Sequence, residues 1–412
     1  MHSAENPSVL QYRPFALFLC ARASTFFSFQ MFGVAVGWQV YAITGSALSL
    51  GLVGLAQFLP MFLLTLVVGH VADRYNRRMI ARSCQTIEAV ACVALAIGSF
   101  KGWLTEESIL IIVFFVGAAR AFEGPTMQAL LPLLVPTSLI PRAAAWSASA
   151  MQTATIAGPA LGGLLYTISP TIVYASAGLL FLAASIFIAF IRIEHVPKKH
   201  EPINVKSVFA GISFIRSRKA VLGAISLDMF AVLLGGATAL LPIYARDILF
   251  TGPWGLGLLR SAPAIGALTM SIYLARHPLK RRVGRTMFNA VAIFGVATIV
   301  FAISKSFFLS LAALAISGAA DVISVVIRHS LVQIETPDDM RGRVSAVNSI
   351  FIGTSNQLGE FESGVTAALF GVVPSVVIGG IGTIIVVLTW VKLFPQLAHK
   401  DTLDAPGSCK VL

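Results

Sequence analysis

The chain has 412 residues, of which 57% are hydrophobic and 12% charged, with a formal net charge of +12 and a mean hydropathy of +0.84. Soluble domains carry about 25% charged residues, so this composition excludes an ordinary water-soluble enzyme or binding module. The basic balance would suit a nucleic-acid partner, but the placement of the charges gives it another cause.

A hydrocarbon core about 30 Å thick takes roughly 20 helical residues to cross, and runs such as Ser46–Gly69 and Thr171–Ile191 are that long. Period-two alternation is absent and Ala, Leu and Gly dominate, so the runs read as helices and not as barrel strands. The first run, Phe15–Tyr41, is too long for a signal-peptide core and has no convincing small-residue cleavage site, so no cleavable leader is expected. In chain order the runs predict about twelve spans, at roughly 14–41, 46–70, 79–100, 106–128, 142–167, 170–193, 219–246, 253–276, 284–304, 307–333, 341–370 and 373–394.

With the amino terminus inside, 23 of the 30 Lys and Arg fall on cytoplasmic segments. Outer loops take only Lys101, Arg246 and Lys305, and four (Arg22, Arg120, Arg260 and Arg328) fall within spans. This asymmetry predicts cytoplasmic termini. It also explains the basic balance as topology plus attraction to anionic lipid, with no nucleic-acid partner. The polar stretch between spans 6 and 7, with Pro197, Pro202 and Lys198-Lys199-His200, reads as a cytoplasmic linker or surface helix. The expected organisation is a six-helix half over 1–193, a linker over 194–218, a second six-helix half over 219–394 and a cytoplasmic tail over 395–412. Cys20, Cys84 and Cys92 lie in or beside spans and Cys409 in the tail, so no extracellular disulfide is expected.

The halves echo each other. Gly117-Ala118-Ala119-Arg120 matches Gly318-Ala319-Ala320-Asp321 at an offset of 201, and without a gap Pro136 meets Pro337, Arg142 meets Arg343, Gly158 meets Gly359 and Gly163 meets Gly364. Near the start of each half, Val40-Tyr41 echoes Ile243-Tyr244 and Pro60 echoes Pro263 at an offset of 203. Chance similarity between Ala/Gly-rich helices is the competing explanation. The repeat points to two six-helix units in the same orientation, with a solute path where they meet.

Gly69-His70-Val71-Ala72-Asp73-Arg74-Tyr75-Asn76-Arg77-Arg78 joins spans 2 and 3. Its carboxylate could pair with Arg or cap a neighbouring helix, latching one conformation. The run resembles the loop signature of the major facilitator superfamily, Gly-x-x-x-Asp-Arg-x-Gly-Arg-Arg. Asn76 stands for the second Gly, a mild change because Asn tolerates a left-handed backbone. That resemblance implies a cytoplasmic gating motif at Gly69, Asp73, Arg74, Arg77 and Arg78. The matching place in the second half, His277-Pro278-Leu279-Lys280-Arg281-Arg282, lacks the Asp, so any latch is asymmetric. Arg120-x-x-x-Gly124 is similar to the superfamily's buried-Arg motif, with Glu123 and Pro125 departing from it. Gly158-Pro159-Ala160-Leu161-Gly162-Gly163 resembles the motif of the family's antiporters, in which glycines allow close helix approach and Pro bends the helix. Pro337-Asp338-Asp339-Met340-Arg341-Gly342-Arg343-Val344 resembles the branch containing enterobactin exporters and macrolide-efflux proteins. The implied fold is all-α, about twelve transmembrane helices in two pseudo-symmetric six-helix bundles.

Ionisable groups within hydrocarbon cost about 2.5–3.5 kcal/mol or more, so each needs a partner or a task. Glu88, Glu123, Arg260 and Arg328 are expected near helix ends, where that cost is small. Asp228 in span 7 and Glu360 and Glu362 in span 11 lie well inside. Two residues two apart on a helix point about 200° apart, so Glu360 and Glu362 cannot both face one cavity. A carboxylate whose burial alternates between inward- and outward-open states can bind and release a proton each cycle. Asp228 with Glu360 or Glu362 are therefore candidates for proton coupling or for contact with a cationic solute. A structural ion pair is the competing reading. Arg22, Arg120 and Asp321 join them, the arginines either pairing with these acids or gripping an anionic solute.

No Gly-x-x-x-x-Gly-Lys-[Ser/Thr] loop, no metal-ligand spacing of His and no Gly-x-Ser-x-Gly elbow occurs. Neither enzymatic activity, a cofactor nor a metal is expected. The resemblance implies a secondary transporter of a bacterial inner membrane, exporting a small amphipathic organic molecule (a siderophore or a drug) in exchange for protons. It would act as a monomer in contact with membrane lipid. A facilitator or importer of another metabolite or lipid, and a non-transporting sensor or scaffold, are the alternatives.

Overall fold

The computed structural model describes residues 8–192, 205–279 and 281–402. Its elements are α1 (Arg13–Thr44), α2 (Ala47–Arg74), α3 (Arg77–Lys101), α4 (Glu106–Leu130), α5 (Ile140–Ile168), α6 (Pro170–Phe190), α7 (Val205–Ser217) and α8 (Lys219–Leu234). After a short turn, α9 (Leu241–Ile243), come α10 (Gly252–Arg276), α11 (Val283–Ile303), α12 (Phe307–Glu335), α13 (Asp338–Phe370), α14 (Val372–Leu393) and α15 (Pro395–Ala398). Among the described residues, ten spans combine membrane-crossing length with strong apolarity. The longer but more polar α5 and α13 complete the twelve expected from the sequence.

Helix α3 shows why the hydropathy is so high. Ile87, Val90, Val93, Ile97 and Phe100 recur every three or four residues and are 46–79% exposed, a continuous apolar stripe suited to lipid. The opposite face, Ala81, Cys84, Gln85, Glu88, Cys92 and Leu95, is buried. The polar side chains therefore point inward, the reverse of a water-soluble helix.

Two compact units emerge. One comprises residues 1–43, 56–202 and 253–257, the other residues 44–55, 203–252 and 258–412. In the first, Phe15 and Phe18 of α1, Met127 and Leu130 of α4, Ala143 of α5 and Ala184 and Ile188 of α6 form a core. In the second, Leu227 and Ala231 of α8, Met287 and Val291 of α11, Ile327 and Leu331 of α12 and Val386 of α14 do the same.

One span departs from expectation. The seventh is not a continuous helix: α8 ends at Leu234 and the chain passes through Gly235-Gly236 into a 3-10 turn, α9 and a π turn over Tyr244–Ile248. The glycines let backbones meet. A Cβ on Gly236 would lie 2.6 Å from the Gly359 carbonyl carbon of α13, and one on Gly359 would lie 2.9 Å from the Leu233 carbonyl oxygen. Close approach, not lost helix propensity alone, sets the break.

In the stretch read as linker, residues 193–204 lie outside the described residues, while α7 packs on α13, with Gly211 against the backbone of Arg343. In the stretch read as tail, Leu397 is fully buried. There the carbonyls of Lys400 and Asp401 accept from Gly284 and Val283 at 3.0 and 3.3 Å, satisfying orphan donors at the start of α11. Residues 403–412 lie outside the described residues.

Candidate functional site

Each unit encloses a polar cluster, built across helices from small sets of side chains. In the second unit, Asp321, Ser324 and Arg328 fall at i, i+3 and i+7 on α12 and so share a face. That face meets Asp228 of α8. Arg328 Nη2 lies 3.3 Å from Asp228 Oδ2, with both side chains almost wholly buried. Ser324 Oγ donates to Asp228 Oδ1 at 3.1 Å, and Arg328 Nη1 donates to Asn348 Oδ1 of α13 at 3.2 Å. Three helices thus converge on one guanidinium, while Arg328 Nε stays buried without a hydrogen-bond partner. Beside the pair, a cavity of about 10 Å³ is lined by Asp228, Asp321, Ser324, Ala231, Val232 and Phe294 among others. That is room for roughly one water, with two carboxylates on its wall.

In the first unit, Gln85 of α3 uses one amide nitrogen twice: Nε2 donates to Glu123 Oε1 of α4 at 3.0 Å and to Thr25 Oγ1 of α1 at 3.2 Å. Arg120 lies 3.8 Å from Glu123, one turn away, with its side chain 27% exposed. Its guanidinium sits 3.6 Å from the Phe29 ring centroid of α1. Arg22 lies 5.2 Å from the Phe26 ring and 5.9 Å from the Phe18 ring. Glu88 is fully buried and neither carboxylate oxygen has a hydrogen-bond partner.

These positions correct two sequence expectations. Glu88, Glu123 and Arg328 are not at helix ends: they lie two or more turns inside α3, α4 and α12 and are 0%, 4% and 2% exposed. Their burial comes from the helices packed alongside, which hydropathy along one segment does not show. Arg260 is half-buried, with Glu360 as its charged neighbour. The second correction concerns partners. Asp228 pairs with Arg328, Arg120 pairs with Glu123 of its own helix, and Arg22 makes no ion pair among the described residues.

Glu360 and Glu362 separate as helical geometry requires. Glu360 lies against α2, where a Cβ on Gly54 would meet its Cβ at 2.9 Å. Glu362 is half-buried elsewhere on α13. In the antiporter-like motif, a Cβ on Gly158 would come within 2.6 Å of Gln30 Cβ, and one on Gly162 within 2.9 Å of Met31 Cα, so α5 crosses α1 nearly backbone to backbone. Gly163 and Pro159 abut the first turns of α10, where a Cβ on Gly163 would lie 3.1 Å from Gly257 Cα. In the loop motif, the surroundings of Gly69 and the side chains of Asp73 and Arg74 lie outside what the structure describes. Arg77 donates to the Ala129 carbonyl at 3.2 Å and Arg78 to the Ile191 carbonyl, tying the start of α3 to the ends of α4 and α6. Asn76 has an extended backbone, not a left-handed one, and its Oδ1 accepts from Arg78 N at 3.0 Å as an N-cap.

Eleven membrane-length helices and a broken seventh span among the described residues, with a buried polar cluster in each bundle, define a polytopic membrane transporter of the major facilitator fold. The chain belongs to the transmembrane secretion effector family of the major facilitator superfamily, whose family model matches residues 8–409. It is 25% identical over 402 residues to the enterobactin exporter EntS of Citrobacter koseri, covering 95% of this chain and 94% of that one. It is 24% identical over 338 residues to macrolide efflux protein A of Streptococcus pyogenes, covering 80% and 83%. Among solved structures, the fold is shared with a bacterial homologue of the human lysosomal transporter Spinster, inward-facing and occupied (TM-score 0.76, 12% identity, 95% of this chain and 98% of that one). It is shared also with an inward-facing bacterial homologue of the iron transporter ferroportin (TM-score 0.72, 16% identity, 96% and 100%).

Proposed function

We propose that the protein is a proton-coupled antiporter that exports a small amphipathic organic molecule by alternating access, with Asp228 as the principal proton carrier. One observation carries this reading: a buried Asp228–Arg328 pair stands beside a water-sized cavity that Asp321 also lines. A carboxylate paired this way has two stable arrangements. Ionised, it holds Arg328; protonated, it releases Arg328 to Asn348 and keeps Ser324. A proton reaching Asp228 by way of the cavity and Asp321 thereby loosens α8 from α12, and its departure restores the pair. Each proton supplies about 1.4 kcal/mol per pH unit and about 2.3 kcal/mol per 100 mV of membrane potential.

Export, and a cargo resembling a siderophore or macrolide, are carried over from the named relatives. The same reading puts the chain in a bacterial inner membrane as a monomer with cytoplasmic termini, its halves at 1–193 and 219–394 joined through 194–218 and followed by a tail at 395–412. The test is the purified protein in liposomes enclosing a pH-sensitive dye, under an imposed proton gradient, with a panel of siderophores and macrolides added. A solute-triggered pH change that disappears in Asp228→Asn supports the proposal. Solute movement with a silent dye removes the proton mechanism.

A further inference from the structure

The first unit carries a cationic, aromatic face that the proton mechanism leaves unused. Arg22, Phe26 and Phe29 follow at i, i+4 and i+7 along α1 and form one stripe, and Arg120 of α4 closes over Phe29 at 3.6 Å. All four side chains are half-buried, neither sealed in the core nor fully exposed. Their charges are balanced in number by Glu123 and Glu88, but their hydrogen-bond donors are not all satisfied. Arg22 lies within electrostatic reach of both Glu123 and Arg120, and Glu123 turns Oε2 to Arg120 at 3.8 Å, beyond hydrogen-bond distance, while its Oε1 accepts from Gln85. Arg22 Nε and Arg120 Nη1 are buried with no hydrogen-bond partner. Glu88 acts on the cluster from α3 but offers neither guanidinium a hydrogen bond.

Arg22 stands about 13 Å along α1 from its first residue at 1.5 Å per residue, inside the span though short of its middle. An arginine at that depth is retained where it lines a water-filled cavity or meets a ligand, because lipid exposure is costly. Its charge does not titrate, so it cannot carry the coupling proton. Guanidinium donors left without a partner are satisfied by an added anion, and a carboxylate or sulfonate accepts their forks bidentately. The neighbouring phenyl rings favour a flat aromatic group attached to that anion.

We infer that this face, Arg22 and Arg120 with Phe26 and Phe29, binds the cargo through an anionic group carried on an aromatic ring. The cargo class is therefore an aromatic anion, and amphipathic cations are disfavoured. The inference deepens the transport reading and rests on it for the identity of the ligand as cargo; binding itself needs no proton gradient.

The test uses the full chain in detergent and three probes at equilibrium: 2-naphthoate, (2-naphthylmethyl)ammonium and cyclohexanecarboxylate. The expected result is 2-naphthoate binding about tenfold or more tightly than the ammonium, a preference lost in Arg22→Gln and partly kept in Arg22→Lys, which holds the charge but not the fork. Phe26→Leu should weaken 2-naphthoate about threefold and leave cyclohexanecarboxylate unchanged. Melting temperatures verify that the variants fold. If Arg22→Gln does not, the charge preference of the native chain and its loss with added salt decide the question. Equal or tighter binding of the ammonium, no 2-naphthoate binding at millimolar concentration, or an unchanged Arg22→Gln overturns the assignment. A silent dye in liposomes with charge-selective binding intact would overturn proton coupling alone.

Discussion

The two polar clusters use nearly the same parts on exchanged helices. By the repeat, Glu123 corresponds to Ser324 at an offset of 201, and Thr25 corresponds to Asp228 at an offset of 203. In the first unit the carboxylate is on α4 and the hydroxyl on α1; in the second the hydroxyl is on α12 and the carboxylate on α8. The arginine moves too. Arg120 sits where the second half has Asp321, while Arg328 replaces Met127 one face-turn further along. The outcome is a buried, direct pair at 3.3 Å in one unit and a looser 3.8 Å pair with a partly exposed guanidinium in the other. A shared backbone plan can thus hold either a buried charge switch or an open cationic face. Which one forms depends on whether acid and base sit on different helices or on one.

The comparison breaks most sharply at Arg328. Arg328→Ala leaves Asp228 buried and unpaired and should cost about 3–5 kcal/mol, read as a lower melting temperature in detergent. Replacing both, Asp228→Leu with Arg328→Met, should recover most of the loss. Glu123→Ala, whose arginine is 27% exposed, should cost less than Arg328→Ala; the reverse order would invert the comparison.

Exchanging the parts sharpens it. Asp228→Thr together with Ser324→Glu rebuilds the first unit's pattern in the second, giving Arg328 a carboxylate at i−4. The pair should regain more than half of the stability that Asp228→Thr alone loses, an effect of about 1–3 kcal/mol. Failure to regain any would mean that the acid's helix, and not merely its presence, is fixed by packing.

Glycines give a smaller contrast. Gly236→Ala pushes a methyl into the Gly359 backbone and should cost about 1–3 kcal/mol, whereas Gly124, with nothing within 4 Å of its added Cβ, should accept Ala with a gain of a few tenths of a kcal/mol to about 1. The smallest expected effect is at the α3 cap, where Asn76→Ala should lower stability by about 1 kcal/mol in the same melting assay.

The spans were legible because about 20 apolar residues are needed at every crossing, and apart from the broken seventh, whose helix stops at Leu234, their ends agree with the helices to within a few residues. The break after Leu234 was signalled by Gly235-Gly236 within an apolar run, but adjacent glycines do not say whether a helix ends or another backbone merely approaches. The charged clusters were legible only in part. Asp228, Arg120 and Asp321 stood out as charges in hydrocarbon, yet their partners did not, since Arg328 and Glu123 were assigned to helix ends by hydropathy. The i, i+3, i+7 spacing of Asp321, Ser324 and Arg328 was the available clue to one polar face. Asn348, Gln85 and Thr25 carry no charge and so did not stand out as ionisable groups in hydrocarbon; packing reveals their partners.

The central claim, that Asp228 couples protons and does not merely hold α8 to α12, is tested most directly by comparing two modes of transport in one Asp228→Asn preparation. Solute exchange across liposomes at equal pH needs no net proton movement, while uphill extrusion driven by a proton gradient does. The account predicts that Asp228→Asn keeps exchange near the native rate and loses gradient-driven accumulation. Gradient-driven accumulation at the native level in that variant would contradict it.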